Sequence, residues 1–272
     1  MELDVISSLH NLMAPEDMDK SMGVRAFSHL ESPAKPEENW GMNGLEEIYP
    51  TWLTNVHNKF MGKRCFLFGS GPSLLGQVDL LAKMTSEYTF TCNRINKWKE
   101  IPFRPYIHCV TEPGPLRGFG QEVVPIYDYP TATNKVAIAW WPVTAKGWLW
   151  CPKAPDDIQC RWNGYWGWQD YLPPLPTAWA SPLTMGQLAL WMGFRELYIL
   201  GSELTQDGQA WDKEHGRTAA PRQIRSILES ADRARRDVKR AGGSLIDCTP
   251  GGRMNIEGTL PYMELEEVLG ST

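Results

Sequence analysis

The chain has 272 residues, 42% of them hydrophobic and 22% charged, with a net charge of −5. These totals suit one large α/β domain with an insertion or two small domains, and they exclude global disorder. The acidic balance excludes a protein that grips nucleic acid by its overall charge, and no apolar run is long enough to cross a bilayer.

Residues 1–60 read as an N-terminal helical and extended arm. Its first ten residues, MELDVISSLH, have neither the basic nor the apolar stretch of a signal peptide, so a soluble, cytoplasmic protein is expected. Glu31–Asn39, with two prolines and three glutamates, reads as a loop. Leu45, Ile48, Tyr49, Trp52, Leu53, Val56 and Phe60 recur at helical spacing, which predicts a helix over 45–60.

Residues 61–272 read as the main domain. Arg64–Phe68 is a short apolar run followed at once by Gly69-Ser70-Gly71-Pro72-Ser73, with a helix expected on through Gln77 to Met84. Tyr88–Cys92 alternates as a strand does and ends in Asn93-Arg94, and Pro105–Val110 is a third strand ending in Thr111-Glu112-Pro113. Polar residues at the carboxyl end of each strand mark a doubly wound sheet, in which ligands bind along that edge.

Ala137–Trp179 breaks this rhythm with eight tryptophans, from Trp140 to Trp179, among the 13 of the chain. The stretch, about 137–180, reads as an inserted lid or acceptor subsite, since flat rings pack on the C–H faces of sugars. A flap that merely covers the sheet fits it equally well. The α/β rhythm then resumes with an apolar helix over Leu183–Met192 and a strand over Glu196–Leu200 that ends in Gly201-Ser202-Glu203. Beyond a polar loop, Arg222–Arg240 forms an amphipathic helix with Ile224, Ile227, Leu228, Ala231, Ala234 and Val238 on its apolar face, and Ser244–Cys248 is the last strand.

Glycines at 69 and 71 let the backbone approach a ligand closely, and a helix start favours negative charge. The loop lacks the third glycine of a dinucleotide fingerprint and the Lys of a P-loop, so readings as an NAD or ATPase site are weak. In the 205–217 loop His215 is the candidate base, flanked by Asp207 and Asp212, which are placed to orient it, to act as base themselves or to bind Mg2+ beside phosphates. No paired Asp-x-Asp stands here, so no obligatory metal is expected, with Mg2+ left as an option. Arg217, Arg222 and Arg225 are placed to meet phosphate, whereas Glu229, Asp232 and Asp237 interleave the later arginines as on a solvated face. Of the six cysteines, Cys65, Cys92, Cys109 and Cys248 fall in strands, and Cys151 and Cys160 are open to pairing or to sharing a metal.

Three blocks carry a resemblance. Phe68–Leu74 (FGSGPSL) with Phe90–Asn93 (FTCN), the segment from Ser181 to Leu204, and Cys248–Gly252 with Ile256–Gly258 and Leu265–Leu269 resemble, in order, the motility accessory factor family and the bacterial lipooligosaccharide sialyltransferases. The archaeal hydroxymethyl-dihydropterin pyrophosphokinases belong to the same wider set. The resemblance implies a Rossmann-like, GT-A-like, doubly wound and mostly parallel sheet with a Trp-rich insertion. It implies a glycosyltransferase that moves a sugar, such as a nonulosonic acid, from a nucleotide-sugar donor to a hydroxyl acceptor on a glycan, a protein or a modified nucleic acid. Gly69, Ser70, Gly71, Pro72, Ser73, Asn93, Ser181, Glu203 and Arg217 would hold the donor, and His215, with Asp212 and Asp207, would be catalytic. Pro182, Ser70 and Glu203 depart from the residues usual at their positions, which leaves the donor open. Three alternatives stand beside this reading: a Mg2+-dependent pyrophosphokinase acting on a hydroxymethyl-pterin, a glycosyltransferase acting on a modified DNA base, and a nucleotide-binding module without catalysis.

Overall fold

The computed structural model describes residues 51–111, 116–117, 124–125, 132–139, 148–152, 180–204, 210 and 221–270. The chain divides into two compact units, Met1–His57 and Asn58–Thr272. In the first, helix α1 covers Thr51–Val56. The helical spacing of the sequence runs on to Phe60, but Asn58 and Gly62 take left-handed backbone angles (φ 55° and 74°), which an α-helix cannot continue through.

The second unit is built on a parallel sheet. Its strands are β1 (Arg64–Phe68), β2 (Tyr88–Cys92), β3 (Ile107–Val110), β6 (Asn134–Ala139), β7 (Leu149–Pro152), β8 (Glu196–Leu200) and β9 (Ser244–Asp247). They lie in the order β7-β6-β3-β2-β1-β8-β9, and every pairing is parallel. Two short strands between β3 and β6, β4 (Leu116–Arg117) and β5 (Val124–Pro125), form a separate antiparallel ribbon. The doubly wound sheet read from the sequence is therefore present. The stretch read as an insertion differs in part, because the end of β6 and all of β7 fall within 137–180 and extend the central sheet. The apolar run Val136-Ala137-Ile138 is what seats β6 there, and its three side chains are buried. Residues 153–179, with four of the eight tryptophans of that stretch, lie outside the described residues.

Helix α3 (Ser181–Met192) is apolar on nearly all sides, with ten buried residues, because it lies against β1, β2 and β8 on one side and α4 (Pro221–Arg240) on the other. The amphipathic α4 buries Ile227, Ala231, Ala234 and Val238 and packs on β9. The segment after the Gly69–Ser73 loop is not the continuous helix expected. Pro72–Gln77 forms 3-10 turns, and α2 (Val78–Leu81) is a single α turn. Gly76 in its middle disfavours a longer helix. So short an element sums few peptide dipoles, which weakens the anion attraction anticipated there.

The two edges of the sheet differ in chemistry. At the amino ends of the strands, Phe60 stacks on Phe194 at 4.9 Å, with Tyr88 and Tyr106 packed edge-on against Phe60 at 5.2 and 5.8 Å. Arg64 and Glu87 pair beside them. Aromatic packing of this kind contributes about 0.5–1.5 kcal/mol per pair beyond burial. The opposite edge, at the carboxyl ends, carries the polar residues.

Candidate functional site

The chain leaves β1 toward β2 on one side, while β8 adds on the other. The strand order thus reverses between β1 and β8, and in open α/β sheets ligands bind outside the carboxyl ends of strands at such a point. The Gly69–Ser73 loop lies there. Gly69 N–H donates to Leu200 O (2.7 Å), Gly71 N–H to Gly201 O (2.9 Å) and Ser73 N–H to Glu203 Oε1 (2.6 Å). These bonds stitch the end of β1 to the end of β8. Glycine is required at 69, where a Cβ would overlap the Gly201 carbonyl, and a Cβ on Gly71 would overlap the Glu203 carboxylate and push that side chain aside. Ser70 and Pro72 are half-buried, and Ser73 Oγ is buried with no hydrogen bond. The Ser70 carbonyl accepts from Ala210 N–H (2.9 Å), which ties Ala210 to the glycine loop.

A second group forms at the ends of β2 and β3. Asn93 takes a left-handed backbone (φ 47°), a conformation Asn tolerates better than most side chains, and is buried. Its Nδ2 donates to Thr111 Oγ1 (3.1 Å) and to Ser181 Oγ (3.0 Å), and its Oδ1 accepts from Thr111 N–H (2.9 Å). The Thr111 and Ser181 hydroxyls are 2.7 Å apart. Three elements thus meet through three polar side chains, with Ser181 starting α3. Ala180 before it gives that helix no side-chain cap. The group has four polar hydrogens, two on the amide and one on each hydroxyl. Three are used among the members, and a 3.4 Å approach of Thr111 Oγ1 to Asn93 Oδ1 is long for a hydroxyl bond. With Thr111 donating to Ser181, the Ser181 hydroxyl, the half-buried member, has a hydrogen to present outward.

A third group lies past β9. Asp247 is fully buried, with Oδ1 accepting from Thr249 N–H (3.0 Å) and Oδ2 from Asn255 Nδ2 (2.9 Å). Thr249 Oγ1 accepts from Ser202 N–H (3.2 Å), and Arg253 N–H, at the start of the short helix α5 (Arg253–Ile256), donates to Glu203 O (3.3 Å). Burial pushes the Asp247 carboxyl above its ordinary value, and nearby Glu203 adds to this, against the hydrogen bonds from Thr249 and Asn255. This group buttresses the Gly201–Glu203 turn from behind.

Of the residues read from the sequence, the structure brings Gly69, Ser70, Gly71, Pro72 and Ser73 against Glu203, and Asn93 against Ser181. His215, Asp212, Asp207 and Arg217 lie outside the described residues. Thr111 and Asp247 were not singled out. Thr111 carries no motif of its own, and the one signal for Asp247 is its place before the Cys248–Gly252 block. Among the described residues no group of three metal-binding side chains occurs. Cys65, Cys92, Cys109, Cys151 and Cys248 are buried, and burial pushes the Cys65, Cys109 and Cys151 thiols up. Cys160 is outside the described residues. On α4, Arg225 pairs with Glu229 (3.1 Å), Arg235 and Arg236 with Asp232 (2.8 and 2.9 Å), and Arg240 with Asp237 (2.8 Å). These arginines are neutralised along their own helix. No helix among the described residues is long and apolar enough to cross a membrane.

No family model matches the sequence, and no curated protein matches it. Among solved structures, the MAf glycosyltransferase from Magnetospirillum magneticum AMB-1 is similar over 77% of this chain and 35% of its own, at 15% identity and a TM-score of 0.47. This chain therefore spans about a third of that protein's length. The sialyltransferase CstII from Campylobacter jejuni, solved with the substrate analogue cytidine-5'-monophosphate, is similar over 75% of this chain and 86% of its own, at 11% identity and a TM-score of 0.44.

Proposed function

We propose that this protein is a glycosyltransferase that moves a sugar from a nucleotide-sugar donor to a hydroxyl acceptor. The observation that carries the reading is the order of groups along the carboxyl edge. Thr111 and Asn93 end β3 and β2, the glycine loop ends β1, and Glu203 follows β8. Strands lie about 4.8 Å apart, so the ends of β2 and β8, which lead into Asn93 and Glu203, stand about 10 Å from each other across the switch point. Donor groups at one place and an acceptor at the other suit a ligand with a phosphate at one end and hydroxyls at the other. Parts of all three sequence blocks that resemble sugar-nucleotide transferases, namely Gly69–Ser73 with Asn93, Ser181 with Gly201–Glu203, and Cys248–Gly252, fall on this edge.

In this reading the Ser181 hydroxyl, fixed by Asn93 and Thr111, meets the phosphate at the uncapped start of α3, where partial positive charge favours an anion. As the bond between the anomeric carbon and phosphate oxygen breaks, this donor stabilises the charge that develops on the departing oxygen. The acceptor oxygen forms the new bond to the anomeric carbon, and its proton passes to His215, with Asp207 and Asp212 beside it in sequence. The bond from Ala210 N–H to Ser70 O supports this assignment, because Ala210 stands between Asp207 and Asp212 in the sequence. Arg217 would meet the phosphate, the Trp-rich segment would shape the acceptor site, and no obligatory metal takes part.

Turnover of CMP-, UDP- and GDP-sugars to the free nucleotide, followed with and without EDTA, tests the proposal. Turnover of one donor that survives EDTA and is lost in His215→Ala is expected. Activity seen only with ATP, Mg2+ and a hydroxymethyl-pterin would replace the reading with pyrophosphate transfer.

A further inference from the structure

The glycine loop looks like a phosphate cradle in the sequence, but its hydrogen-bond accounting says otherwise. The N–H groups of Gly69, Gly71 and Ser73 are all spent on acceptors within the protein, and Pro72 has none to offer. The Glu203 carboxylate lies where a Cβ of Gly71 would be, so the space freed by that glycine is filled by a carboxylate. A phosphate entering beside Gly71 would meet the Glu203 carboxylate, and close approach of two such groups is costly in a half-buried site.

Resting on the donor reading above, we infer that Glu203 is a specificity-determining residue that accepts hydrogen bonds from a pair of neighbouring hydroxyls on the donor. A carboxylate has about four lone-pair positions, and the bond from Ser73 N–H takes one. Glu203 is about nine-tenths buried (9% exposed), which strengthens a hydrogen bond made there. Its position is held rather than free to adapt: Ser73 grips Oε1, Gly71 abuts Oε2, and its own carbonyl accepts from Arg253 N–H. The chemistry recognised is a vicinal diol, which a nucleotide sugar offers both on its ribose and on its transferred sugar.

Calorimetric titration of the full chain with CMP, UMP, GMP and AMP, each beside its 2′,3′-dideoxy counterpart, separates these sources. If the ribose diol is read, one ribonucleotide binds about tenfold or more tightly than its dideoxy form, as expected for bonds to a charged group, and the gap closes in Glu203→Gln. That substitution keeps an oxygen for Ser73 N–H, and the comparison within the wild type needs no variant at all. Equal binding of the two forms, with a Glu203-dependent gain from the attached sugar of CMP-, UDP- or GDP-sugars, assigns the diol to the sugar. Equal binding with no dependence on Glu203 overturns the inference and leaves the donor reading standing. Failure of every nucleotide and nucleotide sugar to bind overturns both.

Discussion

The Asn93 group and the Glu203 group sit two strands apart on one sheet edge, yet they are built on opposite principles. Around Asn93, neutral side chains from three elements hydrogen-bond one another, and with Thr111 donating to Ser181 a hydroxyl hydrogen is left to present. Around Glu203, backbone N–H groups are consumed by carbonyls and a carboxylate, which leaves acceptor capacity. The first depends on side-chain chemistry, because Asn, Thr and Ser hydrogen-bond one another. The second depends on the absence of side chains, because two glycines let the ends of β1 and β8 close on each other. A sheet edge can therefore offer both halves of a hydrogen-bonding surface without any change of fold.

Substitutions separate the two designs, with the largest effect expected where backbone meets backbone. Gly69→Ala drives a Cβ into the Gly201 carbonyl, which has no rotamer to yield, and is expected to cost about 3 kcal/mol or more in a urea melt. A midpoint like that of the wild type would show that the β1–β8 stitch is loose. Asn93→Ala removes three hydrogen bonds and strands the Thr111 N–H, for a loss of about 2 kcal/mol. Asn93→Gly loses the same bonds but suits the left-handed backbone, so it should be the milder of the two. The reverse ranking would remove backbone conformation from the account.

Away from the edge, Asp237 gives a smaller, pH-dependent effect. Burial pushes its carboxyl up to about 6, against the pull of Arg240 and Arg236. The folded state thus holds this proton more tightly than the unfolded state, so stability falls as pH rises from about 4 through 6. Asp237→Asn is expected to raise stability at pH 7.5 by about 1 kcal/mol, net of the lost Arg240 pair, and to change little at pH 4. Thermal melts at the two pH values check this. The smallest effect belongs to Arg225→Ala, whose exposed pair with Glu229 should be worth under about 0.5 kcal/mol. A larger loss would mean that the α4 stripe does more than solvate its own helix.

What was legible in the sequence follows from the range of the forces involved. Strands β1 and β8 were readable because each is a short apolar run closed by a glycine, β2 because it alternates and ends in Asn93, and α4 because its period is local. The glycines at 69 and 71 were visible as glycines, but what approaches them comes from 130 residues further along, and no local pattern shows that Glu203 fills the space beside Gly71. Asn93 and Ser181 were chosen separately, and Thr111, which joins them, has no signature beyond its place at a strand end. The place of β7 in the sheet was hidden because Leu149-Trp150-Cys151-Pro152 looks no different from the Trp-rich stretch around it.

The most direct test of the account is hydrogen exchange on the full chain with saturating CMP, UDP and GDP in turn. The account predicts that one of them slows exchange at Gly69–Ser73, Asn93, the start of α3 and Gly201–Leu204, while the amino edge around Phe60, Tyr88 and Phe194 is unchanged. Protection confined to the amino edge or to the outer face of α4, with none at the carboxyl ends of β1, β2 and β8, would contradict it.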